Sequence, residues 1–340
     1  MSSERYSRQE LFTPIGKSGQ EKIVSKHVLI IGAGALGTAS AEALVRAGVG
    51  TVTIIDRDYV EWSNLQRQQL YTEENAERRT PKAVAAKNRL QEVNSSVNIH
   101  AHVMDGNIEE LESLITQGVD VIIDATDNFD TRLIINDLAQ KHQVPWVYGA
   151  CVGSYGISYT ILPGETPCLS CLLDTVPMGG MTCDTVGIIS PAVQMVVSYQ
   201  VTEVLKLLVE DKASLRKKLV SFDLWKNQHT MIAVDKVKKA DCPSCGEHAT
   251  YPFLAYENQT KTAVLCGRNT VQIRPAEGMK RSLDAIAESL RPHGKLEQNP
   301  YLVSLTMDEK RLVVFQDGRA FIHGTNDISE AKTIYYRYLG

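Results

Sequence analysis

Four aliphatic residues, VLII (28–31), run directly into GAGALG (32–37), and a helix-like segment, TASAEALVRAG (38–48), follows. The next aliphatic run, TVTIIDRD (51–58), begins as soon as that segment ends. Strand, glycine turn, helix and strand within about 30 residues form a βαβ unit, which requires two parallel strands side by side and a helix across them. In such a turn Gly32 permits the tight bend, Gly34 lets backbone approach a phosphate, and Gly37 lets helix pack on strand. The following helix offers unpaired N–H groups and the positive end of its dipole. Asp56 closes the second strand, where an acid binds ribose hydroxyls. Nucleotide binding is therefore the first expectation, with plain helix–strand packing as the alternative.

The alternation continues. PKAVAAKNRLQEV (81–93) reads as a helix, VNIHAHV (97–103) as a strand and NIEELESLI (107–115) as a helix. DVIIDATD (120–127) reads as a buried strand, DTRLIINDLAQKH (130–142) as a helix and PWVYGACVG (145–153) as a strand. This pattern predicts a parallel sheet covered on both faces. YGISYTILPG (155–164) and the two strands within 219–237 predict an antiparallel continuation, and SPAVQMVVSYQVTEVLKLLV (190–209) a buried helix. The remainder reads as strands and two helices in a small unit. The expected fold class is α/β: a Rossmann-like, mostly parallel sheet with an antiparallel continuation, plus a small C-terminal α+β domain. The boundary falls near 250, giving domains 1–250 and 251–340.

The net charge of −4 over 340 residues gives no reason to expect non-specific binding to nucleic acid or to a membrane. The polar opening MSSERYSRQE does not read as a signal peptide, and no apolar run reaches the ~18 residues of a membrane span. A cytoplasmic, soluble protein is expected. Seven cysteines, an odd count in a large chain, argue for metal or thiol chemistry over a disulfide framework.

The segment DRDYVEWSNLQRQ (56–68) bears on which nucleotide is bound. Ser63, Asn64, Gln66, Arg67 and Gln68 follow the ribose acid closely, and Lys82 opens a later helix. Arg and Lys at a nucleotide site clamp phosphates and stabilise developing charge; the alternative is that both are surface cations. Asp127 and Asn128 lie past the end of a strand, where open parallel sheets bind ligands. A carboxylate there suits Mg²⁺, and a helix N-cap explains it equally well. Asp124, inside the strand, reads as structural. Cys168-x-x-Cys171 and Cys242-x-x-Cys245 suit a tetrahedral four-cysteine zinc site. Because the pairs lie far apart in the chain, such a site cross-links distant segments. Cys183 sits outside both pairs in a Gly/Met-rich stretch, as a loop thiol or a small buried hydrophobe.

RYSRQ (5–9), GAGALG, DRD, SNLQRQ (63–68), PKA (81–83), ATDN (125–128), CLSC (168–171), MTC (181–183) and CPSC (242–245) occur in this order. Together, over about residues 1–248, they resemble the MoeB/ThiF family, relatives of ubiquitin-activating enzymes that adenylate small sulfur-carrier proteins. The resemblance implies ATP rather than NAD. It places Gly34 and Ala35 beside the nucleotide, Asp56 on the ribose, and Ser63, Asn64, Leu65, Gln66, Arg67 and Lys82 on the triphosphate. It gives Mg²⁺ to Asp127, with Asn128 completing the site, and Zn²⁺ to the four paired cysteines. It has Arg8 reach the site of a second subunit, hence a homodimer. The implied partner is a small ubiquitin-like sulfur carrier ending in Gly-Gly, of the molybdopterin or thiamine pathway, with a sulfurtransferase as sulfur donor. Cys183 matches a cysteine that joins sulfur transfer in some members. The lone tail cysteine, Cys266, lacks the setting of a rhodanese-like domain, so no sulfurtransferase activity is expected from the tail. Two rival readings are an NAD-dependent oxidoreductase and a non-catalytic zinc-bearing scaffold.

Overall fold

The computed structural model describes residues 4–173, 186–255, 262–265, 269–274, 282–307 and 309–339. Cys183 and Cys266 lie outside the described residues. The chain divides into two compact units, Met1–Met181 with Gly187–Tyr256, and Thr182–Val186 with Glu257–Gly340.

The first unit is built on eight strands: β1 (His27–Ile31), β2 (Thr51–Asp56), β3 (Asn98–Val103), β4 (Val121–Asp124), β5 (Trp146–Val152), β6 (Tyr155–Ile161), β7 (Lys218–Asp223) and β8 (Gln228–Ala233). Their order is β3-β2-β1-β4-β5-β6-β7-β8. Pairing is parallel from β3 to β5 and antiparallel from β5 to β8. This is the α/β sheet with antiparallel continuation expected from the sequence. The aliphatic run of β1 is buried along both faces because successive side chains point opposite ways. Val28 and Ile30 enter one core, with Leu44 of the helix Ala35–Ala47, Leu90 of Lys82–Val93 and Val196 of Ser190–Leu208. Leu29 and Ile31 enter the other, with Leu111 of Ile108–Ile115 and Leu138 of Phe129–His142. The chain reverses its direction of winding between β1 and β4, so a crevice opens at the carboxyl ends of those strands.

The second unit is an antiparallel sheet, β11-β12-β13-β14-β10-β9, of β9 (Thr262–Leu265), β10 (Thr270–Ile273), β11 (Lys295–Gln298), β12 (Leu302–Met307), β13 (Lys310–Phe315) and β14 (Ala320–His323). Helices Leu283–Leu290 and Ile328–Leu339 pack on one face, where Leu290 and Tyr335 meet Val303, Leu312 and Ile322. It is the small α+β unit the sequence predicts.

Some elements escape the sequence pattern. The helix Gly16–Ser25 carries two glycines and buries only Gly19, Gln20 and Ile23, too few for a helical period to register. The edge strand Lys295–Gln298 is KLEQ, short and polar, without alternation to detect. The helices Ser7–Glu10, Glu73–Glu77 and Leu169–Leu173 are each about one turn. No helix among the described residues is long and apolar enough to cross a membrane.

Candidate active site

The glycine turn leaves the end of β1. Gly32 has φ 100°, and a Cβ there would strike the Ala125 carbonyl of the neighbouring strand end. A Cβ on Gly37 would collide with the carbonyl oxygen of Gly32. Both glycines are thus demanded by packing of the turn on the protein itself. Gly34 differs: the nearest atom to a Cβ there is the Gln68 amide nitrogen at 3.9 Å. Its side faces open space, and the protein alone does not require a glycine. Gly34 is the N-cap of Ala35–Ala47 and makes no side-chain capping bond. The first N–H groups of that 13-residue helix, starting at Ala35, are left for an anion.

Asp56, at the end of β2, grips this turn. Its Oδ2 accepts from the Ala33 N–H at 2.6 Å and its Oδ1 from the Asp58 N–H at 2.7 Å. Burial pushes its carboxyl above the usual range, against the pull of the Lys82 ammonium. Lys82 is 3% exposed. Its Nζ lies 3.1 Å from Asp58 Oδ2, and its N–H donates to the Asp58 carbonyl at 2.9 Å. Pro81 is the N-cap of the helix that Lys82 opens. Tyr71 completes the ring: its hydroxyl donates to the Ala33 carbonyl at 2.6 Å and lies 3.2 Å from that of Lys82.

Asp127 follows β4 on the other side of the crevice. Asn128 is the residue that caps Phe129–His142, accepting from the Thr131 N–H at 2.9 Å. The N-cap explanation therefore applies to Asn128 and not to Asp127, whose side chain is 72% exposed. Asp124 behaves structurally. It is fully buried, pairs with Arg132 Nε at 2.9 Å, and accepts from both the N–H and the hydroxyl of Thr126. Arg132 in turn donates to the Thr126 carbonyl at 2.7 Å and lies against the rings of Phe129 and Tyr148, which fixes the segment carrying Asp127.

Arg57 joins the two sides. Its guanidinium reaches Asp105 at 3.1 Å, and both Asp58 and Asp127 at 3.9 Å. Burial pushes its basicity down, but these three carboxylates more than offset that and leave it raised.

The segment 63–67 is less uniform than its spacing suggests. Asn64 is buried, and its Oδ1 accepts from the Glu61 N–H at 3.0 Å, so its side chain closes the turn Trp62–Asn64. Leu65 packs against the core beneath the turn and offers a ligand only backbone. Ser63 and Gln66 are exposed. Arg67 is half-buried and donates to the Ser63 carbonyl at 2.8 Å. Arg8 is exposed on Ser7–Glu10 and forms no ion pair among the described residues. The structure thus brings Gly34, Ala35, Asp56 and Lys82 together in one bonded frame, with Asp127 linked to it through Arg57. The sequence reading overlooked Arg57, Asp58, Tyr71 and Arg132. For Asp58 a signal existed, since D-R-D repeats the acid with the period of a strand; for Tyr71 there was none.

The four paired cysteines converge. Cys168 Sγ lies 3.9 Å from Cys171 and 3.7 Å from Cys242, and Cys171 lies 3.6 Å from Cys245. All four sulfurs fall within 4.8 Å of one another. Sulfurs about 2.3 Å from a tetrahedral zinc stand about 3.8 Å apart, so the set fits that ion. Hydrogen bonds from Cys168 and Cys245 hold Cys171 well below the usual thiol range, while the bond to Cys171 pushes Cys168 well above it. Asn136 accepts from the Leu169 N–H at 2.8 Å, and Ser170 meets Ser244 at 3.0 Å, so the segments around the sulfurs are held independently of them.

Known proteins resemble this chain in sequence and in fold. The ThiF family model matches residues 6–244. A Bacillus subtilis (strain 168) protein described as sulfur carrier protein ThiS adenylyltransferase is 57% identical over 337 residues, covering 99% of each chain. An Escherichia coli (strain K12) protein of the same description is 36% identical over 246 residues, 71% of this chain and 94% of its own. The crystal structure of E. coli MccB with MccA-N7isoASN superposes with a TM-score of 0.62 at 19% identity, covering 73% of this chain and 75% of that one. At that identity the likeness concerns the fold.

Proposed function

The chain belongs to the ThiF family and is an adenylyltransferase, and from that premise we propose that it uses Mg·ATP to adenylate the C-terminal glycine carboxylate of a small ubiquitin-like sulfur carrier. The observation that carries this reading is the buried Lys82 ammonium, bonded into one frame with an open glycine turn and its acid. A hydride-transferring site needs no such cation, because the turn already holds the pyrophosphate.

A carboxylate oxygen of the carrier attacks the α-phosphorus. The bond from that phosphorus to the oxygen bridging toward the β-phosphate breaks, and pyrophosphate leaves with the electron pair. An acyl-AMP remains on the carrier. Anion meets anion in this step, so the protein's work is charge neutralisation and positioning. The Gly34–Ala35 turn and helix N-terminus receive phosphate oxygens, and Lys82 and Arg67 offset the developing charge. Asp56 has each oxygen committed to one N–H, which leaves lone pairs for the ribose hydroxyls. Ser63, Gln66 and the backbone of Asn64 and Leu65 border the triphosphate. Asp127, exposed and unburdened by capping, would hold Mg²⁺, with Asn128 beside it; the ion supplies neutralisation of the phosphates. The carrier's carboxylate is ionised at neutral pH, so no general base is needed. Arg8 would complete the site of a second copy in a homodimer.

The carrier is proposed to be of the thiamine-pathway ThiS type, since the relative matching along essentially the whole chain has that carrier in its description; a molybdopterin-type carrier is the second reading. The four cysteines would bind structural zinc. Cys183 would act only later, in sulfur transfer from a sulfurtransferase-type donor. Cys183→Ser should leave carrier-dependent ATP–pyrophosphate exchange intact and lower thiocarboxylate formation in a complete assay; a collapse of exchange in the folded variant would separate us from this assignment.

The test of the function is ATP–pyrophosphate exchange with the purified chain and a ThiS-type carrier. Exchange that depends on both Mg²⁺ and an intact Gly-Gly terminus is expected, and its absence with either carrier type refutes the reading. Arg67→Ala should cost at least ~2 kcal/mol of transition-state stabilisation, roughly 30-fold in exchange, with the fold retained. Activity within threefold of the parent removes Arg67 from the mechanism.

A further inference from the structure

Ala33, between the first two glycines, is held at both ends. Its N–H donates to Asp56 and its C=O accepts from the Tyr71 hydroxyl at 2.6 Å. The peptide joining Ala33 to Gly34 is planar and trans, so its carbonyl and its N–H point in opposite directions. Turning the Ala33 carbonyl inward to Tyr71 therefore turns the Gly34 N–H outward. That N–H has no hydrogen-bond partner among the described residues, and the space beside Gly34 is open. The same hydroxyl lies 3.2 Å from the carbonyl of Lys82, the residue whose ammonium is proposed above to offset charge on the phosphates. One O–H thus sits between two carbonyls from distant segments, that of Ala33, whose peptide carries the Gly34 N–H on its far side, and that of Lys82.

We infer that the Tyr71 hydroxyl is a positioning group for the adenylation reaction, which sets the direction of the Gly34 amide donor and its register with Lys82. The inference rests on the Mg·ATP reading above. Tyr71 is 7% exposed, and its ring packs in the core beneath the turn. Burial, together with the carboxylates of Asp56 and Asp58, pushes its hydroxyl well above the ordinary range. It therefore stays protonated and remains a donor at any pH where the enzyme works. Without it, two buried carbonyls lose their common donor, and the peptide at Ala33 is free to rotate its N–H away from the phosphate.

Tyr71→Phe keeps the ring and removes only the donor. Binding of Mg·ATP is measured by calorimetry without any carrier, and binding of adenosine, which has no phosphate, by competition. About a tenfold weakening for Mg·ATP is expected, as for one buried carbonyl left unsatisfied, with adenosine changed less than twofold. A parallel weakening of both ligands means a merely structural role and overturns the inference, as does a Mg·ATP affinity within twofold of the parent. If Tyr71→Phe fails to fold, Tyr71→Gln, which keeps a donor, should bind Mg·ATP better than Tyr71→Met, which has none; equal affinities overturn it. Absence of carrier-dependent exchange in the parent protein would refute the proposed function while leaving these binding results decisive for Tyr71. A parent that does not bind Mg·ATP refutes both.

Discussion

Lys82→Ala is expected to lower carrier-dependent pyrophosphate exchange by at least ~100-fold, the scale of losing one preorganised charge donor in a closed site. It is also expected to destabilise the protein, because Asp58 loses the ammonium 3.1 Å away while remaining buried. Breaking a buried pair from one side costs about 3–5 kcal/mol. Arg57, 3.9 Å from Asp58, should keep the cost toward the lower end. The two losses can be separated. In Lys82→Met combined with Asp58→Asn, neither charge is present, so stability in denaturant titration should return to within about 1 kcal/mol of the parent. Exchange should not return, because the phosphates still lack their cation. A folded Lys82→Ala protein with exchange within threefold of the parent would show that the ammonium serves the fold and not the reaction.

The second large effect concerns the cysteine cluster. One zinc per chain is expected by elemental analysis, and Cys242→Ala should abolish it. Because ligation is possible only when the segment at the helix Leu169–Leu173 and the segment 242–245 are already brought together, metal binding contributes directly to folding free energy. A loss of about 3 kcal/mol, a modest part of what a structural zinc contributes, corresponds to a fall of about 6–12 °C in melting temperature for a domain of this size. Exchange measured well below that temperature should stay within a few-fold of the parent, since four sulfur ligands leave no open position for chemistry. Metal-free protein that melts with the parent refutes a structural zinc. Selective loss of exchange in a variant that melts normally refutes the separation of this site from catalysis.

The amino-acid sequence by itself determined the order of elements and the kind of chemistry. VLII followed by GAGALG dictates a buried parallel strand and a glycine turn, because the aliphatic run needs cover on both faces and the turn tolerates no Cβ at Gly32 or Gly37. The two C-x-x-C pairs pointed to a shared four-sulfur site, with two unrelated redox or free-thiol pairs as the alternative, and the convergence of the sulfurs favours the first. Periodicity failed where an element had too little buried surface to display a period, as in Gly16–Ser25 and Lys295–Gln298.

Within the candidate site, only tertiary structure distinguished residues that face the ligand from residues that hold it. Asn64 and Arg67 occupy one polar motif, yet Asn64 is buried with its side chain on the turn at Glu61, while Arg67 is half-buried and gives one donor to the Ser63 carbonyl. Asp127 and Asn128 are adjacent and both suit a helix cap, but the backbone gives the cap to Asn128, while the Asp127 carboxylate is largely exposed with Arg57 at 3.9 Å. Tyr71 carried no motif at all. Its place between the carbonyls of Ala33 and Lys82 depends on how the segment 62–72 folds under the turn. A hydrogen bond is a relation between two atoms brought together from distant parts of the chain. Residue type and spacing give the capacity to form one, and the packing of the segments decides which capacity is used.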